Sequence, residues 1–331
     1  MGEKPKVFVT RKLPAGLELL GEETELEVNP EDRALKREEL IEGVKGKDAL
    51  LCLLMDKIDA EVMEASGRLK VISNYAVGFD NIEVAEATKR GIAVTNTPGV
   101  LTETTADLAW AILMSVARRV VESDRFLRAG KWKEWAPSLF LGRDVFGKIL
   151  GIIGLGRIGA AMARRAKGFD MKVLYYNPRR KEELEEELGV EYVSLEELLK
   201  RSDFVTLHVP LLPGTRHLIG ERELGLMKPT AFLVNTSRGP VVDEKALIKA
   251  LQEGRIAGAA LDVYEEEPKV PQALMALDNV VLVPHIGSAS VETRTKMALM
   301  AVENLLAVLK GKVPPNLVNP EVIERLGLKA A

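Results

Sequence analysis

Three histidines are the side chains that could move a proton near neutral pH, namely His208, His217 and His285. His285 ends the apolar run Val280–Pro284, where parallel α/β sheets bind ligands at their carboxyl edge. His208 ends another predicted strand, on the adenosine side of the same crevice, and His217 lies in a polar loop where we expect it to be exposed. The pattern favours His285 as a proton donor to a carbonyl oxygen.

An imidazole that works as an acid needs a partner that fixes its tautomer, and an acidic run supplies candidates. Residues 265–267 are all glutamates and run into Pro268, just after a predicted strand. Arg238 follows the neighbouring strand, which ends at Asn235, and its planar guanidinium matches a carboxylate. The sequence therefore predicts an acid–base pair and an anion-binding arginine at adjacent strand ends.

A glycine-rich loop predicts a dinucleotide site. Gly154, Gly156 and Gly159 form a G-x-G-x-x-G pattern directly after the predicted strand Ile149–Ile153, and a predicted helix over 160–167 follows. The first glycine allows a tight turn, the second lets the backbone approach a pyrophosphate, and the third lets helix and strand pack closely. The first N–H groups of the helix then face the anion.

The end of the next predicted strand indicates which dinucleotide is bound. NAD sites usually carry an acid there, whereas this chain has Asn177, Pro178, Arg179 and Arg180. Two arginines can pair with a 2′-phosphate, so we expect NADP(H) to be preferred, with NAD(H) possible. The alternative is a solvated basic turn. A flavin is disfavoured, because flavin enzymes usually carry this loop at the extreme N-terminus.

These candidates must be positioned by alternating strands and helices, which predict an α/β fold with parallel sheets. The first series of predicted strands is Val7–Thr10, Ala49–Leu54, Val71–Ser73 and Ile92–Val94, with helices at Lys36–Gly43 and Ile82–Arg90. The second series has six predicted strands: Ile149–Ile153, Lys172–Tyr176, Phe204–Val209, Ala231–Asn235, Gly258–Val263 and Val280–Pro284. Six strands complete a dinucleotide-binding sheet.

The order of the two series predicts two doubly wound, Rossmann-like domains. The last helix, Ser290–Leu309, has no strand after it and is expected to return to the first domain. Residues 1–98 and 288–331 would then form a split substrate-binding domain, and residues 99–287 an inserted dinucleotide-binding domain. One long helix is predicted over Thr102–Gly130, crossing between domains or packing against a second subunit.

Composition excludes several other classes of protein. The chain has 331 residues with 46 Lys+Arg against 49 Asp+Glu, a formal charge of −3, so no basic excess points to nucleic acid or a membrane. We expect a soluble cytoplasmic protein. Its one cysteine, Cys52, rules out an internal disulfide and a multi-thiolate metal site, and no metal is predicted. Few glutamines beside many charges are typical of heat-adapted proteins.

Several motifs together resemble one family over essentially the whole chain. They are NYAVGFDN at 74–81, TPGV at 97–100, TTAD at 104–107, the glycine loop, NTSRG at 235–239, the segment 261–268 and PHIGS at 284–288. This set resembles the D-isomer-specific 2-hydroxyacid dehydrogenases, and within them the glyoxylate/hydroxypyruvate reductase branch. The resemblance implies a catalytic set of Arg238, Glu267 and His285.

The resemblance also implies a role for each of these residues. His285 would give a proton to the ketone oxygen, Glu267 would hold the imidazole protonated, and Arg238 would bind the carboxylate and polarise the carbonyl. Substrate contacts would include Arg238, His285 and the backbone N–H groups of Val77 and Gly78. Trp135 is a candidate to reach the substrate site of a partner subunit.

Cofactor contacts are implied for a larger set of residues, of which Asp262 would bond the nicotinamide carboxamide. The set comprises Thr104, Gly154, Leu155, Gly156, Arg157, Ile158, Gly159, Asn177, Pro178, Arg179, Arg180, His208, Val209, Pro210, Thr215, Thr236, Ser237, Arg238, Asp262, His285, Ile286 and Gly287.

The implied function is NADPH-dependent reduction of small 2-oxoacids, glyoxylate to glycolate and hydroxypyruvate to D-glycerate, by a homodimer. A D-lactate or other D-2-hydroxyacid dehydrogenase is an alternative. Oxidation of 3-phosphoglycerate is less expected, because Lys57 is the one cation seen for a phosphate and no regulatory domain follows residue 331. A nicotinamide-sensing, corepressor-like binding protein is a further alternative, although such relatives carry extra terminal segments.

Overall fold

The computed structural model describes residues 3–330. The chain separates into two compact units, residues 1–101 with 289–331 and residues 102–288. The sequence-based boundaries, after residues 98 and 287, lie three residues earlier at the first crossing and one residue earlier at the second. Each unit is an α/β sandwich with its own parallel sheet.

The first unit opens with strands and helices in alternation. Its elements are β1 (Lys6–Val9), α1 (Leu17–Glu23), β2 (Glu25–Val28), α2 (Arg37–Val44), β3 (Ala49–Cys52), α3 (Ala60–Ser66), β4 (Val71–Asn74), α4 (Val84–Arg90) and β5 (Ala93–Thr95). The strands lie in the order β2-β1-β3-β4-β5 and every pair is parallel, which is a doubly wound topology.

The second unit contains the remaining strands. Its elements are α5 (Thr102–Ala117), α6 (Val120–Arg128), β6 (Ile149–Ile153), α7 (Arg157–Lys167), β7 (Lys172–Tyr176), α8 (Glu182–Leu188), β8 (Glu191–Tyr192), α9 (Leu195–Arg201), β9 (Phe204–Leu207), α10 (Glu221–Leu226), β10 (Phe232–Asn235), a 3₁₀ turn at Gly239–Val241, α11 (Glu244–Gln252), β11 (Gly258–Leu261), α12 (Gln272–Met275) and β12 (Val280–Leu282). The order is β12-β11-β10-β9-β6-β7-β8, so the chain reverses direction across the sheet between β6 and β9. Such a reversal point opens a crevice for a dinucleotide at the carboxyl ends of the strands.

The chain then returns to the first unit. It adds α13 (Val291–Leu309), a 3₁₀ turn at Pro320–Val322 and α14 (Ile323–Leu326). Ser290 caps α13, because its hydroxyl accepts a hydrogen bond from the N–H of Thr293 at 3.1 Å. Among residues 3–330, no helix combines the length and apolar character that a membrane span requires.

Burial on both faces explains why the central strands are continuously apolar. Along β6, Leu150 and Ile152 pack into the core under α5 and α7, while Ile153 joins the core on the opposite face. All three side chains have no exposed surface. Burying a side chain of this size contributes roughly 1.5–3 kcal/mol, so both faces stabilise the sheet. The predicted fold class is confirmed.

The prediction of one helix over Thr102–Gly130 is wrong. Helix α5 ends at Ala117 and α6 begins at Val120, with Arg119 in a left-handed conformation at φ 52°. The N–H of Arg143 donates to the carbonyl oxygen of Ala117 at 2.8 Å, and a Cβ at Gly142 would lie 2.5 Å from that oxygen. A distant segment therefore ends the helix, and the local sequence contains no breaking residue that could have predicted it.

Candidate active site

His285 follows β12 at the carboxyl edge of the second unit's sheet. Its ring Nδ1 lies 2.7 Å from Glu267 Oε2, and since a carboxylate can only accept, Nδ1 carries the proton of this bond. The other carboxylate oxygen of Glu267 accepts from the N–H of Tyr264 at 3.0 Å. Glu267 is therefore fixed at both oxygens, which orients the imidazole through its Nδ1 edge.

A buried carboxylate anchors the loop that carries His285. The side chain of Asp262, which is 1% exposed, accepts from the N–H of Ile286 at 2.6 Å and from the N–H of Gly287 at 2.8 Å. Its backbone carbonyl accepts from the N–H of His285 at 2.9 Å. Burial raises the pKa of Asp262 to about 6, against the opposing effect of the two N–H groups.

Arg238 lies in a turn after β10 that a buried asparagine organises. Asn235 Oδ1 accepts from the N–H of Ser237 at 3.0 Å, and Asn235 Nδ2 donates to the carbonyl of Arg238 at 2.9 Å. Gly239 packs directly on the backbone of the next turn, since a Cβ there would lie 1.8 Å from the Tyr264 carbonyl oxygen. The turn of Arg238 is thus held against the segment that positions Glu267.

The strand order brings the predicted catalytic residues to one edge of the sheet. β10, β11 and β12 are parallel neighbours with Asn235, Leu261 and Leu282 in register. Arg238, Glu267 and His285 all follow these strands, so their turns leave the same edge. An imidazole, a carboxylate and a guanidinium at one edge can serve carbonyl reduction, which needs a proton donor and an anion-binding group.

The other two histidines have different surroundings. Burial lowers the pKa of His208 to about 3, so this imidazole is neutral. Its Nε2 lies 2.9 Å from Thr206 Oγ1, and its buried Nδ1 has no partner among residues 3–330. His217 is exposed, as predicted, and its Nε2 hydrogen-bonds Glu265. His285 shares with His217 a bond to a glutamate, but its ring is less exposed and bonds through Nδ1 instead of Nε2.

The glycine loop has the shape that a pyrophosphate needs. A Cβ at Gly154, where φ is +98°, would lie 2.5 Å from the carbonyl oxygen of His208, and one at Gly159 would lie 2.2 Å from the Gly154 carbonyl oxygen. A Cβ at Gly156 would have no described heavy atom within 4 Å. The loop is therefore closed around its first and third glycines and open at the second. Gly156 also begins α7 without a side-chain cap, so the first helix N–H groups remain available.

The end of β7 divides the predicted cofactor residues into two kinds. Asn177 is buried, and its Oδ1 accepts from the N–H of Leu155 at 2.8 Å, so it braces the glycine loop. Arg180 forms two 2.8 Å hydrogen bonds with Glu185, whose pKa falls to about 2 through this bond and one from a tyrosine hydroxyl. Arg179 is exposed, and no side chain among residues 3–330 pairs with it.

The remaining predicted contact residues lie around the same crevice or on the surface. Thr215 closes the loop after β9, because its hydroxyl donates to the carbonyl of Pro210 at 2.6 Å. Thr236 follows β10 and has a buried hydroxyl without a partner in the described chain. Thr104 lies in the first turn of α5, and Trp135 lies in the segment after α6 with 77% of its surface exposed. The other predicted contacts are Arg157 and Ile158 at the start of α7, Pro178 after β7 and Val209 after β9.

In the first unit, the predicted substrate residues Val77 and Gly78 lie in the loop after β4, half-buried. Sequence reasoning missed two asparagines that bond this loop: Asn74 donates to the Gly78 carbonyl and Asn96 to the Val77 carbonyl, each at 2.8 Å. The sequence could have indicated both asparagines, since Asn74 begins the motif NYAVGFDN and Asn96 directly precedes the motif TPGV.

Comparison with known proteins identifies the family. The family model described as "D-isomer specific 2-hydroxyacid dehydrogenase, NAD binding domain" matches residues 110–287. The chain belongs to the D-isomer specific 2-hydroxyacid dehydrogenase family. It is 61% identical over 324 residues to a glyoxylate reductase of Korarchaeum cryptofilum, covering 97% of this chain and 98% of the relative.

Solved structures of two similar proteins have the same fold. The TT0316 protein from Thermus thermophilus is 49% identical, with a TM-score of 0.89 over 95% of this chain and 99% of that one. An NADPH-dependent glyoxylate/hydroxypyruvate reductase from Sinorhizobium meliloti, in complex with NADP and malonate, is 34% identical with a TM-score of 0.83 over 97% and 98% of the two chains.

The chain is accordingly an NAD(P)-dependent oxidoreductase that uses a nicotinamide dinucleotide. The family resemblance drawn from the motifs is confirmed, and so is the prediction of an enzyme. The relatives include proteins of thermophiles, in agreement with the heat-adapted composition.

Proposed function

We propose that the enzyme reduces glyoxylate to glycolate and hydroxypyruvate to D-glycerate with NADPH, and that His285 donates the proton. The 2.7 Å bond between His285 Nδ1 and Glu267 carries this proposal, since it fixes which ring nitrogen can act on the substrate. When bound, the reduced nicotinamide supplies the hydride. The chain's own residues supply the proton, the anion-binding groups and the orientation.

Each catalytic residue has one task in this proposal. The doubly protonated ring of His285 gives its Nε2 proton to the carbonyl oxygen as negative charge develops there, and it is left neutral with the Nδ1 proton still donated to Glu267. Arg238 binds the carboxylate and polarises the carbonyl through its planar guanidinium. The N–H groups of Val77 and Gly78 donate to the substrate carboxylate. Asp262 holds the loop of His285 in place and accepts from the nicotinamide carboxamide.

The preference for NADPH rests on the end of β7. No acid stands there to accept from a ribose 2′-hydroxyl, because Asn177 replaces it and is occupied by the glycine loop. Arg179 is exposed and can bind a 2′-phosphate, whereas Arg180 already forms an ion pair with Glu185. The relative from Sinorhizobium meliloti is itself NADPH-dependent. NADH remains a weaker cofactor in this proposal.

We further propose that the enzyme is a homodimer and that the unit of residues 102–288 binds the dinucleotide while the other unit binds substrate. The segment from α6 to β6 exposes large apolar side chains, which isolated subunits rarely do. These are Leu127, Trp132, Trp135, Leu141 and Phe146, with exposures between 54% and 77%. We propose that a second copy covers them and that Trp135 reaches the substrate site of the partner subunit.

A panel of 2-oxoacids tests the proposed reaction. NADPH or NADH is mixed with glyoxylate, hydroxypyruvate, pyruvate or 3-phosphohydroxypyruvate, and the loss of nicotinamide absorbance is followed. We expect the highest kcat/KM for glyoxylate or hydroxypyruvate with NADPH. A higher kcat/KM for pyruvate would favour the D-lactate dehydrogenase alternative, and a preference for NADH would refute the role given to Arg179.

A further inference from the structure

The loop at 75–81 has carbonyl groups that are held from inside the fold. The carbonyl of Val77 accepts from Asn96 Nδ2 at 2.8 Å, and the carbonyl of Gly78 accepts from Asn74 Nδ2 at 2.8 Å. Asn74 is fully buried at the end of β4, and Asn96 directly follows β5. Two side-chain amides from neighbouring strands therefore fix two consecutive peptide groups.

The same fixation extends one peptide further back. The carbonyl of Ala76 accepts from the backbone N–H of Thr97 at 2.9 Å. In a trans peptide the carbonyl and the following N–H point in opposite directions. Since three successive carbonyls are tied to the strand ends, the N–H groups of Val77, Gly78 and Phe79 must point away from those donors.

These three N–H groups have no acceptor among residues 3–330. Backbone N–H groups rarely stay unpaired unless water or a ligand takes them, and this stretch is half-buried to exposed. Successive N–H groups that point to one side form a concavity for an anion. The loop is therefore organised to present donors to a carboxylate.

We propose that Asn96 and Asn74 are positioning residues that aim the N–H groups of Val77, Gly78 and Phe79 at the substrate carboxylate. This inference rests on the proposed function and adds Phe79 N–H as a third donor. Asn96 is itself braced, because its carbonyl accepts from Asn304 Nδ2 at 3.0 Å.

Replacing Asn96 by aspartate turns the attraction between its side chain and the Val77 carbonyl into repulsion, while the side chain keeps nearly the same size and shape. In Asn96→Asp a carboxylate oxygen faces the Val77 carbonyl, and the repulsion turns the peptide that contains the N–H of Gly78. Glycine at 78 permits the rotation. Losing one charge-assisted donor raises KM for glyoxylate about 10- to 100-fold, with a smaller fall in kcat and an unchanged Kd for NADPH.

Asn29 supplies a matched control outside this network. It is buried, and its Nδ2 donates to the backbone carbonyl of Thr10 at 3.0 Å, so it makes the same type of bond without contacting the loop at 75–81. Asn29→Asp should therefore leave KM for glyoxylate within about twofold of the wild-type value. Asn96→Ala removes the donor without adding a charge and should give an intermediate KM, so it decides the question if Asn96→Asp does not fold.

Binding of oxamate, a carboxylate that is not reduced, provides a readout independent of turnover. Its Kd is measured by calorimetry at saturating NADPH for the wild type, both Asn96 variants and Asn29→Asp. We expect Kd to rise with KM in the Asn96 variants alone. The inference would be overturned if KM and Kd in the Asn96 variants equalled the wild-type values. It would also be overturned if the control changed equally, or if the wild type did not bind oxamate. A wild type that binds oxamate but does not reduce glyoxylate would instead refute the proposed function.

Discussion

Replacing Glu267 by glutamine should impair the reaction because a single amide cannot satisfy two donors. Glu267 accepts from the N–H of Tyr264 at 3.0 Å with one oxygen and from Nδ1–H of His285 at 2.7 Å with the other. In Glu267→Gln one of these donors meets an NH₂ group. Either the loop shifts, or Nδ1 accepts from the amide and the ring no longer forms the doubly protonated state from which it donates a proton.

The magnitude follows from the bond that is lost. A charge-assisted hydrogen bond contributes roughly 1.5–3 kcal/mol, so kcat/KM for glyoxylate should fall about 10- to 150-fold. The fall should appear in kcat more than in KM, because the carboxylate acts on the proton donor and not on substrate binding. Stopped-flow measurement of a single turnover with NADPH and glyoxylate separates the chemical step from product release.

Glu266 provides the control for this substitution. It is adjacent, carries the same charge and is exposed, so Glu266→Gln changes net charge equally without touching His285. Its single-turnover rate should match the wild type. Equal rates for Glu267→Gln and Glu266→Gln would refute the argument that the carboxylate of Glu267 prepares His285.

Three further predictions concern the cofactor site and its supporting loop. Arg179→Ala should raise the Kd of NADPH roughly tenfold or more and leave the Kd of NADH unchanged. Arg180→Ala should have the smaller effect, because the Arg180 side chain already bonds Glu185. Fluorescence titration with both nucleotides measures these Kd values. Gly156→Ala should fold with a wild-type melting temperature, because the added methyl meets open space, yet bind NADPH more weakly; a large loss of stability would contradict this view of the loop. The pKa of Asp262 is raised to about 6 from an ordinary 3.8, so the folded state holds its proton more tightly than the unfolded chain does. The stability that this proton contributes is present at low pH and is lost as pH rises through 6. In urea titrations, the stability of the wild type relative to Asp262→Asn should therefore decline between about pH 4 and 6. A constant difference over that range would show that Asp262 does not titrate in this way.

The apolar strands could be predicted because burial on both faces of a parallel sheet leaves a continuous signal. Residues Ile149–Ile153 and Lys172–Tyr176 were predicted with the bounds of β6 and β7. Two strands were missed. β2 is a four-residue edge strand of the first sheet in which glutamates alternate with apolar residues. β8 has two residues, and it makes the sheet of the second unit one of seven strands instead of six. Neither carries enough apolar sequence to be recognised.

Residues of the site could be predicted where a strand end is followed by a chemically distinctive side chain. His285, Glu267 and Arg238 all meet this condition, and parallel topology then places their turns at one edge. What the sequence could not reveal are long-range pairs. The bond between His217 and Glu265, and the capture of Arg180 by Glu185, depend on folded geometry rather than on local pattern.

The central claim is that the imidazole of His285 supplies the proton, and replacing that ring tests it most directly. His285→Asn is compared with His217→Asn, since both histidines bond a glutamate of the same acidic run. The rate of NADPH oxidation in a single turnover with saturating glyoxylate should fall roughly 10²- to 10⁴-fold in His285→Asn, the range of a general acid, and stay unchanged in His217→Asn. The Kd of NADPH should be the same in both. A His285→Asn enzyme that turns over at the wild-type rate would contradict the account.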